Sequence, residues 1–182
     1  MLTSRGTRRR NIGIYSIGLL AGASASGVVV WVLSGLLSPL PHAARALLVA
    51  ACVVAAVARD LRLIAFTLPE NRRLVPERVF EHGVGRGALQ FGFEMGTGVR
   101  TYVPSTTPYL LVIALTMLGA GPSSIALAAL GFSTGRASVP WLRTVFLDPV
   151  QWERRAGAAS AAVIRVAAVE FAVLIVILLG TS

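Results

Sequence analysis

One internal segment of this 182-residue chain, residues 87–118, restricts the possible folds more than any other. It is apolar enough to lie in a membrane, yet it contains Glu94 and Arg100. Helix breakers follow in the run Val103-Pro104-Ser105-Thr106-Thr107-Pro108. Charges and breaks at membrane depth are costly, so they usually belong to a functional site or to a buried structural joint. The segment therefore predicts a membrane protein with a broken helix.

The composition extends this prediction to the rest of the chain. Hydrophobic residues make up 55% of it and charged residues only 14%, whereas about a quarter of the residues of a soluble domain are charged. The apolar residues are spread over almost the whole length, which favours a basic cytoplasmic segment at 1–11 followed by one transmembrane domain at 12–182. The uncharged stretch at 11–44 is too long for the apolar part of a signal peptide, so we expect a retained spanning helix.

The predicted fold class is all-α, with five transmembrane helices and a proline-broken third helix. The approximate helix ranges are 12–37, 43–62, 84–118, 124–143 and 158–180. As a continuous helix, residues 88–118 would measure about 46 Å, which exceeds the hydrocarbon core of about 30 Å. The surplus length suits a helix that is unwound or kinked near Pro104 and Pro108.

The arginines determine the predicted topology. Every one of the 17 basic residues is arginine, and four of them near the N-terminus place that end in the cytoplasm. If the third helix makes one crossing, the arginine-rich connections at 67–86 and 143–157 are inside and the arginine-free connections are outside. Two crossings within 84–118 would put the second arginine-rich connection outside. We therefore expect five crossings with the C-terminus outside.

Two predicted helices share a polar break that could bind a solute. The third contains Gly98-Val99-Arg100-Thr101-Tyr102-Val103-Pro104, and the fourth contains Gly135-Arg136-Ala137-Ser138-Val139-Pro140. Each proline frees the carbonyl four residues earlier, and transporters often bind substrate at such discontinuities. The predicted substrate-binding residues are Arg100, Thr101, Pro104, Ser105, Thr106, Pro108, Arg136, Ser138 and Pro140. The structural alternative is that the hydroxyls satisfy the freed backbone and the arginines pair with acids.

Glu94 and Glu170 are the acids predicted to lie in the membrane. They either form structural ion pairs with arginines or bind the protons that couple to transport. No Ser/His/Asp set, cysteine pair or acidic metal cluster is present, so we predict no catalytic site, cofactor or metal, and no enzyme. The arginines lie where membrane topology would place them, which predicts a lipid bilayer and not nucleic acid as the partner.

The first predicted helix has a small-residue face. Gly18 and Gly22 are four residues apart, a spacing that lets helix backbones approach closely. Ordinary helix packing is the favoured interpretation, and a dimer interface is the alternative.

The order of features resembles the membrane domain of the CcdA/DsbD thiol–disulfide electron transporters, within a wider superfamily of small exporters. Residues 86–110, RGALQFGFEMGTGVRTYVPSTTPYL, look like the helix that opens the second repeat of that family, and residues 131–140, GFSTGRASVP, look like the next helix. The reactive cysteines and the first family helix are absent. Thiolate chemistry needs the thiol, so the resemblance implies a scaffold of broken helices and not electron transfer.

These observations leave three functional hypotheses. The leading one is a small transporter-like protein of the cell (plasma or inner) membrane, with an anionic or polar solute at the broken helices. The second is a non-transporting subunit that anchors, assembles or matures a larger membrane complex. A weaker third is a redox accessory that lends Cys52 to a partner. Five helices enclose little volume, so we expect a homo-oligomer or a heteromeric complex.

Overall fold

All of the described secondary structure is helical. A computed structural model of the chain describes residues 5–65, 84–98 and 106–145, together with the isolated positions 154, 157, 162, 165–167, 169, 170 and 173. The helices are α1 (Arg5–Leu36), α2 (His42–Asp60), α3 (Val84–Gly96), α4 (Thr107–Met117) and α5 (Pro122–Val145). No strand occurs among these residues, and the all-α fold class is confirmed.

The predicted third helix is present as two short helices, α3 and α4. Past the end of α3, Gly98 has a φ of 73°, in the left-handed region that glycine adopts readily. α4 begins with Pro108 in its first turn, where the missing N–H removes no intrahelical bond. The two helices have 13 and 11 residues, so they measure about 20 and 16 Å. Each is shorter than the hydrocarbon core of a bilayer.

Pro140 does not break the fourth predicted helix. α5 continues from Pro122 to Val145 with Pro140 inside it, so the expectation of a second broken helix is wrong. A proline removes one backbone donor, and hydroxyl groups can satisfy the backbone around it. Here the hydroxyl of Ser138 donates to the carbonyl of Gly135 at 2.6 Å, within the same stretch of helix.

The other helix boundaries differ from the predicted ones by a few residues. α1 already begins at Arg5, and the arginines at positions 8–10 are good helix formers. α2 ends at Asp60, shortly before Arg62 adopts a φ of 63°. Most of the fifth predicted helix lies outside the described residues, and the isolated positions described there are helical.

The described residues belong to two compact units, each with its own packing. The first contains α1 as far as Val29, all of α3, and α5 from Ser123 onward. The second contains the rest of α1, all of α2, and α4. The single transmembrane domain stays a prediction.

In the first unit, α1 and α3 cross at glycines. The crossing glycines are Gly18 and Gly22 on α1, and Gly92 and Gly96 on α3. A Cβ added at Gly18 would overlap the carbonyl oxygen of Leu89, and one added at Gly92 would overlap that of Tyr15. Glycines later on α1 meet residues later on α3, so the two helices run parallel. The small-residue face of α1 packs within this chain, as the favoured interpretation predicts.

In the second unit, α2 and α4 pack antiparallel around a small aliphatic core. Its buried members are Val49, Val53 and Ala56 on α2, with Leu110 and Ala114 on α4. These residues recur at three- or four-residue intervals, which places them on one face of each helix. The core joins α4, which is too short to span a bilayer, to one of the longer helices.

Two helices are long and apolar enough to cross a membrane, Gly6–Leu36 with 31 residues and His42–Asp60 with 19. Their exposed large hydrophobic residues include Val28, Val29, Trp31, Val32, Leu33, Leu47, Leu48 and Val54. Several polar side chains are buried instead, among them Ser34, Asp60, Thr106, Thr116 and Ser133. Contiguous exposed apolar surface on this scale is typical of membrane or protein contact.

Gly18→Ala is expected to lower the Tm of the purified protein in detergent. The added methyl group would meet the backbone of Leu89 and force α1 and α3 apart, and overpacking of this kind costs about 1–3 kcal/mol. Gly13→Ala is the matched control, because no atom lies within 4 Å of its added Cβ and alanine favours a helix. Equal Tm values for the two variants would contradict the close crossing.

Candidate functional site

Side chains from two neighbouring helices bind the C-terminal end of α3. Nη1 of Arg136, on α5, donates to the carbonyl oxygen of Met95 at 3.1 Å. The hydroxyl of Ser26, on α1, donates to the carbonyl oxygen of Thr97 at 3.1 Å. The last carbonyls of a helix lack intrahelical donors, and a cation is favoured at this negative end of the helix dipole. Arg136 therefore caps a half-length helix.

The Arg136 guanidinium has further N–H donors that make no hydrogen bond within the described structure. It lies over the ring of Phe132, 5.1 Å from the ring centroid. Its hydrogen bonds within the described structure are made by Nη1, and neither Nε nor Nη2 is sealed away from the surroundings. No carboxylate among the described residues forms a salt bridge with Arg136. A partly buried arginine with available N–H donors is suited to bind an anion.

A buried carboxylate binds the N-terminal end of α4. Asp60 is the last residue of α2, and its side chain is 0% exposed. Its Oδ2 accepts the backbone N–H of Thr106 at 3.0 Å and the hydroxyl of Thr106 at 2.8 Å. Its Oδ1 accepts Nη1 of Arg59 at 3.0 Å. The Thr106 side chain makes no capping bond to α4, so the anion at the positive end of this helix comes from α2.

The other end of α4 receives a cation from the same neighbour. Nη1 of Arg45, near the start of α2, donates to the carbonyl oxygen of Met117 at 3.2 Å. The dipole of α2 itself disfavours a cation at its N-terminus and an anion at its C-terminus. Arg45 and Asp60 are nevertheless in those positions, and both match the dipole of the antiparallel α4. Two charges on one helix thus neutralise both ends of another.

The two short helices end in the same way. In each, a carbonyl in the last turn accepts a hydrogen bond from an arginine of another helix. Arg136 donates to α3, and Arg45 donates to α4. A glycine with positive φ then follows two residues beyond the last helical residue, Gly98 at 73° and Gly119 at 69°. Left-handed glycine is the common way to end a helix, and the arginine satisfies a carbonyl that the turn leaves exposed.

The structure distributes the predicted substrate-binding residues unevenly. Arg100, Thr101, Pro104 and Ser105 lie outside the described residues. Thr106 and Pro108 belong to the second unit, and Arg136, Ser138 and Pro140 belong to the first. The hydroxyl of Ser138 donates to the carbonyl of Gly135 in its own helix, whereas the carbonyl that Pro140 frees is that of Arg136. A single site made by the whole set stays a prediction.

The predicted acids differ from the acid that the structure buries. Glu94 accepts a hydrogen bond from Gln90, one turn earlier on α3, and Glu170 is exposed. Asp60 is the buried carboxylate among the described residues, and it is not one of the acids predicted from the sequence. One signal was present, because an acid at the C-terminal end of an apolar helix opposes the dipole of that helix. Such an acid is expected to have a partner on another element.

Among the described residues, no three potential metal-ligating side chains come together. No protein-family model, curated protein or solved structure matches the chain.

Thr106→Val is expected to lower the Tm of the purified protein, because it removes the hydroxyl that donates to Asp60 at 2.8 Å and keeps the shape. A hydrogen bond to a charged group contributes about 1.5–3 kcal/mol. Thr116→Val is the matched control on the same helix. Its hydroxyl is also buried, but it donates to the carbonyl of Val112 in its own helix at 2.7 Å. The Asp60 contact would be discounted if the two variants lost the same stability.

Proposed function

We propose that the chain is a multi-pass protein of the cell membrane that binds and transfers an anionic or polar solute, and that Arg136 contacts the solute. The available donors of Arg136 carry this proposal: Nη1 is anchored on Met95 at 3.1 Å, while Nε and Nη2 have no described acceptor. An arginine at membrane depth is costly and marks a functional site by default. Transporters often place binding sites at the ends of half-length helices, and here Arg136 supplies the positive charge beside the negative C-terminal end of α3.

The directions of the helices within each unit are compatible with the proposed five-crossing topology. If α1 crosses outward from a cytoplasmic N-terminus, α2 returns inward after the short connection. α3 runs parallel to α1 at the glycine crossing, so it also runs outward. α4 runs antiparallel to α2, as the Arg45–Met117 and Asp60–Thr106 contacts require, so it runs outward too.

This arrangement also agrees with the resemblance to the CcdA/DsbD scaffold, in which helices are broken by glycine and proline. Without the reactive cysteines, the proposed solute takes the place of the family's electron-transfer chemistry. A pathway between so few helices forms more easily with a second copy of the chain or with another membrane protein. We therefore propose an oligomeric assembly.

Arg136→Gln is expected to abolish stabilisation by small anions. Inorganic phosphate, sulfate and benzoate would be titrated separately into the protein in nanodiscs while the Tm is measured. A ligand at a hundred times its Kd stabilises the folded protein by about 2.7 kcal/mol, so a bound probe gives a saturable rise in Tm. The ligand-induced rise is the readout, because the variant also loses the cap on Met95.

Arg86→Gln is the matched control, since Arg86 is an exposed arginine on α3. We expect this variant to keep the full response, and the probe that stabilises the wild type to be transported in proteoliposomes. A wild type that responds to none of the three anions, or an Arg136→Gln variant that responds fully, would contradict the proposed solute site.

A specific observation also favours the second function, a non-transporting subunit of a larger membrane complex. Arg45, Asp60 and Arg136 each bind a helix end of this same chain, which gives the rigid scaffold that such a subunit needs. The Gly18–Gly22 face does not contribute a docking surface, because α3 already covers it.

Purification from native membranes in mild detergent separates the two functions. The transport proposal predicts a homo-oligomer, identified by mass spectrometry and native mass measurement. A heterologous membrane protein that co-purifies at a fixed stoichiometry, and is retained by Arg136→Gln, would favour the subunit function instead.

A further inference from the structure

The N–H donors of Arg136 that make no hydrogen bond lie along one edge of its guanidinium. Nη1 donates to the carbonyl oxygen of Met95 at 3.1 Å and lies 3.6 Å from the sulfur of the same residue. Nε and Nη2 make no hydrogen bond within the described structure. In the planar guanidinium the Nε–H bond and one Nη2–H bond are parallel, so they match the two oxygens of a carboxylate.

Apolar groups surround the charged end of this side chain. The ring of Phe132 covers one face of the guanidinium, with its centroid 5.1 Å away, and the thioether of Met95 lies beside Nη1. Val139 follows Arg136 by three residues on α5, so it is a neighbour on the helix surface, and it is half-exposed. The described contacts of the guanidinium are all with uncharged groups. The site therefore offers one positive charge in apolar surroundings.

A site of this kind favours an anion with a single charge and an apolar body. The cost of removing an ion from water rises with the square of its charge, so a dianion such as sulfate loses about four times the hydration energy of a monoanion of equal size. One guanidinium supplies only one positive charge in return. An apolar tail favours binding instead, because each methylene group removed from water raises the binding constant about three- to fourfold.

We propose that Arg136 binds the carboxylate of a lipophilic monocarboxylic acid, with Nε and Nη2 donating to its two oxygens. The inference rests on the proposed function, for which it names the substrate class. The solute is a carboxylate that carries an apolar chain or ring, and not an inorganic oxyanion. Nη1 stays on the carbonyl of Met95, which holds the guanidinium in place while its other edge receives the ligand.

A series of carboxylates of increasing length tests this inference on the wild-type protein in nanodiscs. Acetate, butyrate and hexanoate would be titrated by calorimetry, with empty nanodiscs as the blank for partition into lipid. The affinity is expected to rise about tenfold for each two methylene groups added. Sulfate and inorganic phosphate are expected to bind at least about tenfold more weakly than hexanoate. Hexanamide has the same tail without the charge, and it is expected to show no saturable binding.

Two substitutions separate the charge of Arg136 from its planar shape. Arg136→Lys keeps a positive charge and loses the paired donors, so hexanoate is expected to bind at least about tenfold more weakly. Arg136→Gln is expected to abolish binding, and Arg86→Gln, at an exposed position of α3, is expected to keep the wild-type affinity. Circular dichroism would confirm that each variant is folded, and the carboxylate series needs no variant.

The outcomes distinguish the substrate class from the proposed function. An affinity that does not rise along the carboxylate series, or sulfate or phosphate binding as tight as that of hexanoate, overturns the lipophilic substrate. In that case a response that Arg136→Gln abolishes still supports the solute site. Hexanoate binding that persists in Arg136→Gln, or no binding of any of these anions, overturns the solute site and the substrate class together.

Discussion

The backbone N–H and C=O groups at the ends of α3 and α4 have no partners within their own helices, so other parts of the structure must supply them. α3 and α4 are each shorter than the hydrocarbon core of a bilayer, so if they lay in one they could not leave both ends in water. Inside hydrocarbon each unsatisfied group costs several kcal/mol. Arg136 binds a carbonyl at the C-terminal end of α3, and Arg45 and Asp60 bind backbone groups at the two ends of α4, which gives these buried or partly buried charges a structural role.

The two units meet this requirement by different means. In the first, glycine lets the backbones of α1 and α3 touch, and a polar bond from Ser26 and one from Arg136 fasten the end of α3. In the second, aliphatic side chains pack between the middle parts of α2 and α4, and charged side chains bind the ends of α4. Arg45 and Asp60 lie unfavourably for the dipole of their own helix. Both charges are placed favourably for the dipole of the antiparallel α4.

The parts of the fold that follow from local sequence were predictable, and the parts that depend on distant backbone atoms were not. Apolar length and the prolines gave the helices and the interruption between α3 and α4, and the spacing of Gly18 and Gly22 indicated close packing. Arg136 was identified as a site residue, but its acceptor is a main-chain carbonyl 41 residues away, which no side-chain pattern marks. Asp60 was not predicted for the same reason, because Thr106, which donates a hydrogen bond to it, is 46 residues away. Pro140 was overinterpreted, because one lost backbone bond does not end a helix whose other turns remain intact.

The glycine crossing also limits how the first unit can deform. The carbonyl oxygens of Leu89 and Tyr15 occupy notches that exist only because Gly18 and Gly92 lack side chains. A slide of α3 along α1 by one residue would put a larger side chain into each notch, and the next register that offers glycine is about 6 Å away. The contacts at these glycines therefore fix the register of α3 against α1. A change of shape in this unit is therefore easier where α5 meets the other helices, because the contacts of Arg136 with Met95 and of Trp141 with Ser16 are made by flexible side chains.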